Sequence, residues 1–365
     1  MTDQARQGPL AAARRAHVLA VLARDGQVRI SSLTEELAVA PVTLRRDLAQ
    51  LEREGLLLRV HGGAVPAPVA DGPAPDAMED PPTGAVAVLV PSLNYYWPNV
   101  VRGMEAAAQQ RGLRILLRGA SYELQDERPA LERLARNESV RGLIVAPNTE
   151  TEHAQDVVQW LAASGLPTVL VERDAVVLPG HEPAESVTTD HALGGALAAR
   201  HLASLGHRRV GLVLSRFSPT SRKIAAGWHA ACKELGLTTT PEVDALLPDR
   251  SSADFSGTVD AMLDAALTAG VSGLLVHSDP EAMAVIDLAL NRGIAVPGDL
   301  SVAAYDDEVA ELFSPALTAV SPPRAAVGRA AVDLVAARLA DPARPAHRVV
   351  LSPRLVLRDS TAPAR

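Results

Sequence analysis

Seven short apolar runs recur after residue 84: AVAVLV at 85–90, RILL at 114–117, GLIV at 142–145, TVLV at 168–171, VGLVL at 210–214, GLLV at 273–276 and SVAA at 301–304. Each is nearly continuous in aliphatic residues instead of alternating with polar ones, and amphipathic stretches separate them. A strand that is apolar on both faces needs cover on both faces, so the pattern predicts an α/β chain with parallel sheets flanked by helices. Seven such units in about 280 residues fit two doubly wound lobes, although the count alone leaves a single barrel open.

A second boundary precedes these runs. Pro66, Pro68, Pro73, Pro75, Pro81 and Pro82 punctuate a stretch of Ala, Gly and acids, which predicts an exposed, semi-extended linker. Charge divides at the same place. Residues 1–66 hold nine Arg and seven acids, a net of +2, whereas Asp71, Asp76, Glu79 and Asp80 make 67–83 acidic, and the whole chain carries −8. A phosphate-facing surface therefore belongs to the N-terminal segment.

With 365 residues and 47% apolar content, two or three folding units can each bury a core. Cys232 is the only cysteine, which excludes an intramolecular disulfide and a cysteine-based zinc cluster. His277 has no second His at ligand spacing, and neither a metal nor a cofactor is expected. The first residues hold Asp3 and Gln4 and no apolar core of a signal peptide, and no 18-residue apolar run occurs, so the expected location is the cytoplasm, away from membranes.

Within the N-terminal segment, VTLRRDLAQLEREG places Leu44, Leu48 and Leu51 on one helical face and sends Thr43, Arg45 and Arg46 elsewhere, as a recognition helix requires. Pro41 suits the first turn, and Ser32 with Glu35 forms a candidate capping box on the preceding helix. After Gly55, LLLRVHGGAV has a strand, a Gly62-Gly63 turn and a returning strand, a small wing. TLRRDL, LEREGLLLR and HGGAV in this order resemble the DeoR-family winged helix-turn-helix over roughly residues 10–65. The resemblance implies that Val42, Thr43, Arg45 and Arg46 meet the major groove or its phosphates, and that Arg59 and His61 touch the backbone or minor groove of double-stranded operator DNA. Ala40 stands where that family usually has a capping Ser, a loss of about 1 kcal/mol that Pro41 partly offsets.

Ligands of open parallel sheets sit beyond the carboxyl ends of the strands. Those ends carry Ser92, Asn94, Tyr95, Tyr96 and Trp97; Ser121 and Tyr122; Asn148; Glu172, Arg173 and Asp174; Ser215 and Arg216; Ser278 and Asp279; Asp306 and Asp307. Carboxylates, Arg and an aromatic face together suit a hydroxyl-rich ligand. Asp190, His191 and His207 are expected to cap helices or tie loops.

DHALGGALAARHLASLGHRRVGLV, HSDPEAMAV, VPGDLSVAAYDD, SPALTAVSPP and LVLRDST resemble the effector domain of the LacI/GalR family over roughly residues 84–361. The resemblance implies a two-lobed, periplasmic-binding-protein-like fold of type I and a homodimer. It further implies that Asn94, Tyr96 and Trp97 line the first lobe, Arg173 grips ligand hydroxyls, Arg222 approaches from the second lobe, and Asp279, with Asp306, accepts from a sugar. Ser278 and Glu172 depart from the residues common there, and the LacI-type head and hinge helix are replaced by the DeoR-like head and the Pro-rich linker.

The expected organisation is a DNA-binding domain at 1–65, a linker at 66–83 and a sugar-sensing domain at 84–361. The expected function is a ligand-responsive transcription regulator, a repressor by analogy with both families, and not an enzyme. The rival is a sugar-processing enzyme with an attached DNA-binding head, since DeoR-type heads are often joined to sugar-phosphate-isomerase-like domains. Against it, the chain has no GxSxG, Walker loop or Gly-rich dinucleotide turn.

Overall fold

A computed structural model describes residues 14, 17–18, 21–22, 28–29, 33–34, 37, 39, 41–53, 57–60, 63–66, 84–120, 126–149, 151–216 and 218–364. Ser32, Glu35, Ala40, His61, Ser121, Tyr122 and linker residues 67–83 lie outside them. The chain divides into two compact units, Met1–Glu79 and Asp80–Arg365.

In the first unit, strand β1 (Val28–Arg29) is followed by helix α1 (Pro41–Arg53), β2 (Leu57–Val60) and β3 (Gly63–Pro66). The strands form an antiparallel sheet in the order β1-β3-β2, with Leu58 opposite Val65 and Val60 opposite Gly63. Leu44, Leu48 and Leu51 of α1 are buried against Val18, Leu22, Leu33 and Leu57, so the apolar stripe of α1 anchors it to the rest of this unit. Arg14 ties the same helix through a 2.8 Å ion pair with Asp47, and Arg46 is exposed.

The second unit runs β4 (Gly84–Val90), α2 (Trp97–Gln109), β5 (Leu113–Gly119), α3 (Arg128–Ala135), β6 (Val140–Val145), α4 (Ala154–Ala163), β7 (Thr168–Val171), β8 (Val176–Val177), β9 (Glu182–Pro183) and β10 (Ser186–Thr189). It continues with α5 (His191–Ser204), β11 (Arg209–Ser215), α6 (Ser221–Leu235), β12 (Thr238–Thr239), β13 (Ala245–Leu247), α7 (Phe255–Ala269), β14 (Gly273–His277), α8 (Asp279–Asn291), β15 (Ser301–Tyr305) and β16 (Thr318–Ser321). Last come α9 (Arg324–Ala340), β17 (Arg348–Leu351) and β18 (Arg354–Val356). All seven apolar runs are strands, in two open sheets and not one barrel.

The N-lobe sheet is parallel in the order β17-β10-β7-β6-β4-β5. The C-lobe sheet is β12-β11-β14-β15-β16-β18, with β13 beside β11 and β18 antiparallel. The chain passes between lobes after β10, again after β16 and once more after β17, so α9 and β17 return to the first lobe late in the sequence.

Each lobe is sealed by a helix pair packed backbone to backbone. A Cβ on Gly227 of α6 would lie 1.8 Å from the Ala192 carbonyl oxygen of α5, and one on Gly328 of α9 would lie 1.9 Å from that of Val100 in α2. Both contacts are reciprocal, through Gly195 with Ile224 and Gly103 with Ala325. Only hydrogen at these positions permits so close an approach.

Candidate functional site

The strand ends of the two lobes face one another, and their polar residues meet there. On the N-lobe side, Glu172 follows β7 with φ of +57° and is almost wholly buried. Its carboxylate accepts from the Tyr96 hydroxyl at 2.6 Å, from the Thr189 amide at 2.9 Å and from the Thr189 hydroxyl at 2.8 Å, with His191 Nε2 at 3.1 Å. Burial opposes its charge, but these hydrogen bonds and the imidazole outweigh it and hold the carboxyl at about 2. Burial, reinforced by the Glu172 charge, pushes the Tyr96 phenol well above its ordinary range. Arg173 is buried beside it, donating through Nε to the Pro147 carbonyl at 3.0 Å and through Nη1 to the Glu172 carbonyl at 2.8 Å.

On the C-lobe side, Asp279 opens α8 and is 0% exposed. It accepts the backbone N–H groups of Asp307, Glu308 and Val309 at 3.1, 2.7 and 3.0 Å, which fixes the loop leaving β15. Asp306 lies in that loop at φ of +101°, with His277 Nε2 3.8 Å from its carboxylate. Burial raises both acids to about 7, with the negative neighbour Asp306 adding to the rise at Asp279 and the backbone donors opposing it. Burial also lowers His277 to about 4.

Several contacts bridge the lobes. Asn99 of α2 donates to both oxygens of Glu308 at 3.0 and 2.8 Å. Arg324 pairs with Glu308 at 3.1 Å while its guanidinium carbon stands 5.8 Å from the Tyr96 ring centre. Asp174 of the N-lobe meets Lys223 of α6 at 2.6 Å and Arg348 at 2.8 Å.

The residues expected from the sequence are therefore not equivalent. Tyr96, Asp279 and Asp306 come together at the strand ends, where Asp306 acts electrostatically on the other two, while Arg173 stands past β7 with Nε and Nη1 engaged by N-lobe carbonyls. Trp97 is 1% exposed and packs with Val86, Val88 and Val90 in the N-lobe core, its ring edge-on to Tyr96 at 5.6 Å. Asn94 is exposed on the loop after β4, its amide bonded to the Ser92 hydroxyl at 3.0 Å, and Arg222 is exposed at the start of α6. In the head, Thr43 is half-buried and Arg46 exposed on α1; Val42 and Arg45 also fall on α1, and Arg59 on β2.

A model of the periplasmic binding protein-like domain matches residues 199–361, and one of the DeoR-like helix-turn-helix domain matches 14–67. The HTH-type transcriptional regulator MalR of Streptomyces coelicolor is 30% identical over 287 residues, spanning 77% of this chain and 81% of that protein. The chain belongs to the LacI family of transcriptional regulators. Its head is DeoR-like. A LacI family transcriptional regulator from Enterococcus faecium, solved with bound ribose, is 25% identical and superposes with a TM-score of 0.63, covering 77% of this chain and 100% of that one. The ribose operon repressor of Escherichia coli is 27% identical over 75% of this chain and 80% of its own length.

In this LacI-family effector domain Asp190 caps α5 by accepting the Leu193 amide at 2.8 Å, His191 ties Glu172 to the Tyr305 hydroxyl, and His207 bonds Ser272 and the Ala362 carbonyl. Sequence reasoning leaves out Thr189 and Tyr305 as partners of the site, and Glu308 and Asn99 as links between the lobes. Nothing local marks them, because their partners lie far away along the chain. Among the described residues no helix is long and apolar enough to cross a membrane.

Proposed function

We propose that this regulator is a cytoplasmic repressor of carbohydrate-utilisation genes whose operator affinity is changed by a sugar or similar small polar molecule bound between the lobes. The reading is carried by the meeting of Tyr96, Asp279 and Asp306 at the strand ends of both lobes, with Arg173 past the end of β7, in a chain with a DeoR-like head. Relatives named as sugar-operon repressors support it, among them the arabinose metabolism transcriptional repressor of Geobacillus stearothermophilus, 24% identical over 87% of this chain and 86% of that protein. Ribose bound in the Enterococcus faecium structure supports the ligand class.

The DNA-binding domain comprises 1–65, the linker 66–83 and the effector domain 84–361. Val42, Thr43, Arg45 and Arg46 meet the major groove or its phosphates, and Arg59 and His61 meet the backbone or minor groove. The protein acts as a homodimer on an inverted repeat. Asn94, Trp97 and Arg222 complete the effector site, Trp97 from behind Tyr96. The cleft binds and releases its ligand without chemistry, so a sugar incubated with the protein is recovered unchanged. Ligand alters DNA affinity only as far as it binds the two conformations of the lobes differently, and DNA alters ligand affinity by the same factor.

Fluorescence anisotropy on the DNA upstream of its own gene, with excess nonspecific competitor and sugars added singly, tests this. Competitor-resistant binding that one sugar changes is the expected result; binding abolished by competitor under every sugar refutes it. Arg46→Ala is expected to weaken operator binding by about 1–3 kcal/mol.

A further inference from the structure

Tyr95 stands in the polar stretch after β4, but the family resemblance assigns it no role in the cleft. It sits at the tip of the loop between β4 and α2 with φ of +60°, a left-handed conformation that a bulky side chain adopts only when held there. What holds it is the opposite lobe. The Asp279 amide donates to its hydroxyl at 3.2 Å, and Ser278 and Asp306 lie near enough to act on the phenol electrostatically. A phenol from the N-lobe thus saturates the polar strand ends of the C-lobe, where Asp279 already has both oxygens engaged by backbone donors.

An alcohol that accepts from a backbone amide beside a buried carboxyl is what a sugar hydroxyl offers to such a site. Its neighbour Tyr96 behaves differently. Its hydroxyl donates within its own lobe to Glu172, so only Tyr95 makes this reach.

We propose that Tyr95 is a built-in occupant of the effector cleft: its phenol holds the place of a ligand hydroxyl at the Asp279 amide, beside Ser278 and Asp306, and a polyhydroxylated effector must expel it to bind. This rests on the reading that the effector binds between the lobes. Tyr95 thereby sets a threshold for affinity, because the apparent dissociation constant rises by the inverse of the fraction of molecules with the phenol out. It also selects among polyols, favouring those that can replace both the donor and the acceptor role of the hydroxyl.

The test uses the full-length protein and its Tyr95→Phe and Tyr95→Ala variants, with two readouts. Hydrogen–deuterium exchange is followed without sugar over residues 278–282, and D-ribose, D-galactose and cellobiose are titrated calorimetrically. Loss of the hydroxyl should speed exchange of this segment several-fold in both variants. Loss of the ring should tighten whichever sugar binds the parent protein by about fivefold to tenfold. Unchanged exchange in both variants overturns the proposal whatever the sugars do. Faster exchange with weaker sugar binding by Tyr95→Ala also overturns it, since Tyr95 would then hold the ligand and not compete with it. Faster exchange with no sugar bound by any form upholds Tyr95 as occupant and refutes the sugar reading alone.

Discussion

In the N-lobe, Glu172 is surrounded by the Tyr96 and Thr189 hydroxyls, the Thr189 amide and the His191 imidazole, and it stays ionised down to about pH 2. In the C-lobe, Asp279 and Asp306 are as deeply buried but lie beside each other and near a neutralised His277, and both rise to about 7. The two faces come from the same plan, a parallel sheet with polar residues past its strand ends. The difference teaches that the address of an acid at a strand end does not set its charge. The neighbours that the rest of the lobe brings to it decide, an imidazole beside Glu172 and a second carboxyl beside Asp279, because desolvation alone pushes every buried carboxyl toward neutrality.

The shared plan is tested most severely by the helix pairs. Gly227→Ala in the C-lobe and Gly328→Ala in the N-lobe each force a methyl into a carbonyl of the neighbouring helix, and each should cost about 3 kcal/mol in urea unfolding. Similar losses in the two lobes uphold the common plan; a large loss in one and none in the other breaks it. Glu172→Gln should come next, at about 2 kcal/mol, because four hydrogen-bonding neighbours then face an uncharged amide whose NH2 cannot accept.

Between pH 6 and pH 8 the lobes should respond with opposite logic. Asp279 and Asp306 have folded values raised from 3.8 to about 7, so their stabilising contribution is complete below about pH 4 and disappears as pH rises through 7. Stability should fall across this window by about 1 kcal/mol for each acid. Glu172, lowered from 4.5 to about 2, contributes fully above about pH 4.5 and loses its contribution only in acid, so it adds no slope here. Thermal melts at pH 6, 7 and 8 check this, and a flat profile removes the contrast between the lobes. The smallest effect is expected for Asp279→Asn at pH 6, about 1 kcal/mol, since the Asn carbonyl can still accept from the Glu308 and Val309 amides and only the Asp307 bond is lost. The same variant should flatten the slope between pH 6 and pH 8.

Much of the scaffold is legible in the order of the residues alone. The aliphatic runs form β4, β5, β6, β7, β11, β14 and β15, and the Leu44–Leu48–Leu51 stripe forms the buried face of α1. Among the strands that the apolar pattern does not reveal, β10, β16 and β17 have short or polar sequences such as SVTT and TAVS, and they lie where the chain changes lobe or returns to one. In the cleft, residue type and position past a strand end bring Tyr95, Tyr96, Arg173, Asp279 and Asp306 into a longer set of candidates, from which the family resemblance selects Tyr96, Arg173, Asp279 and Asp306. They are not enough to separate Trp97, which turns into the core, or to tell that Tyr95 reaches across to Asp279.

The sequence by itself determined what each segment buries, because the spacing of apolar residues is a local property that water reads directly along the chain. Which lobe α9 and β17 complete, which acid keeps its charge, and which tyrosine crosses the cleft were decided only by tertiary structure. Those outcomes depend on groups far apart in sequence, Tyr96 with Glu172, Tyr95 with Asp279, Asn99 with Glu308, brought within hydrogen-bonding distance by strands whose own patterns carry no record of the partner.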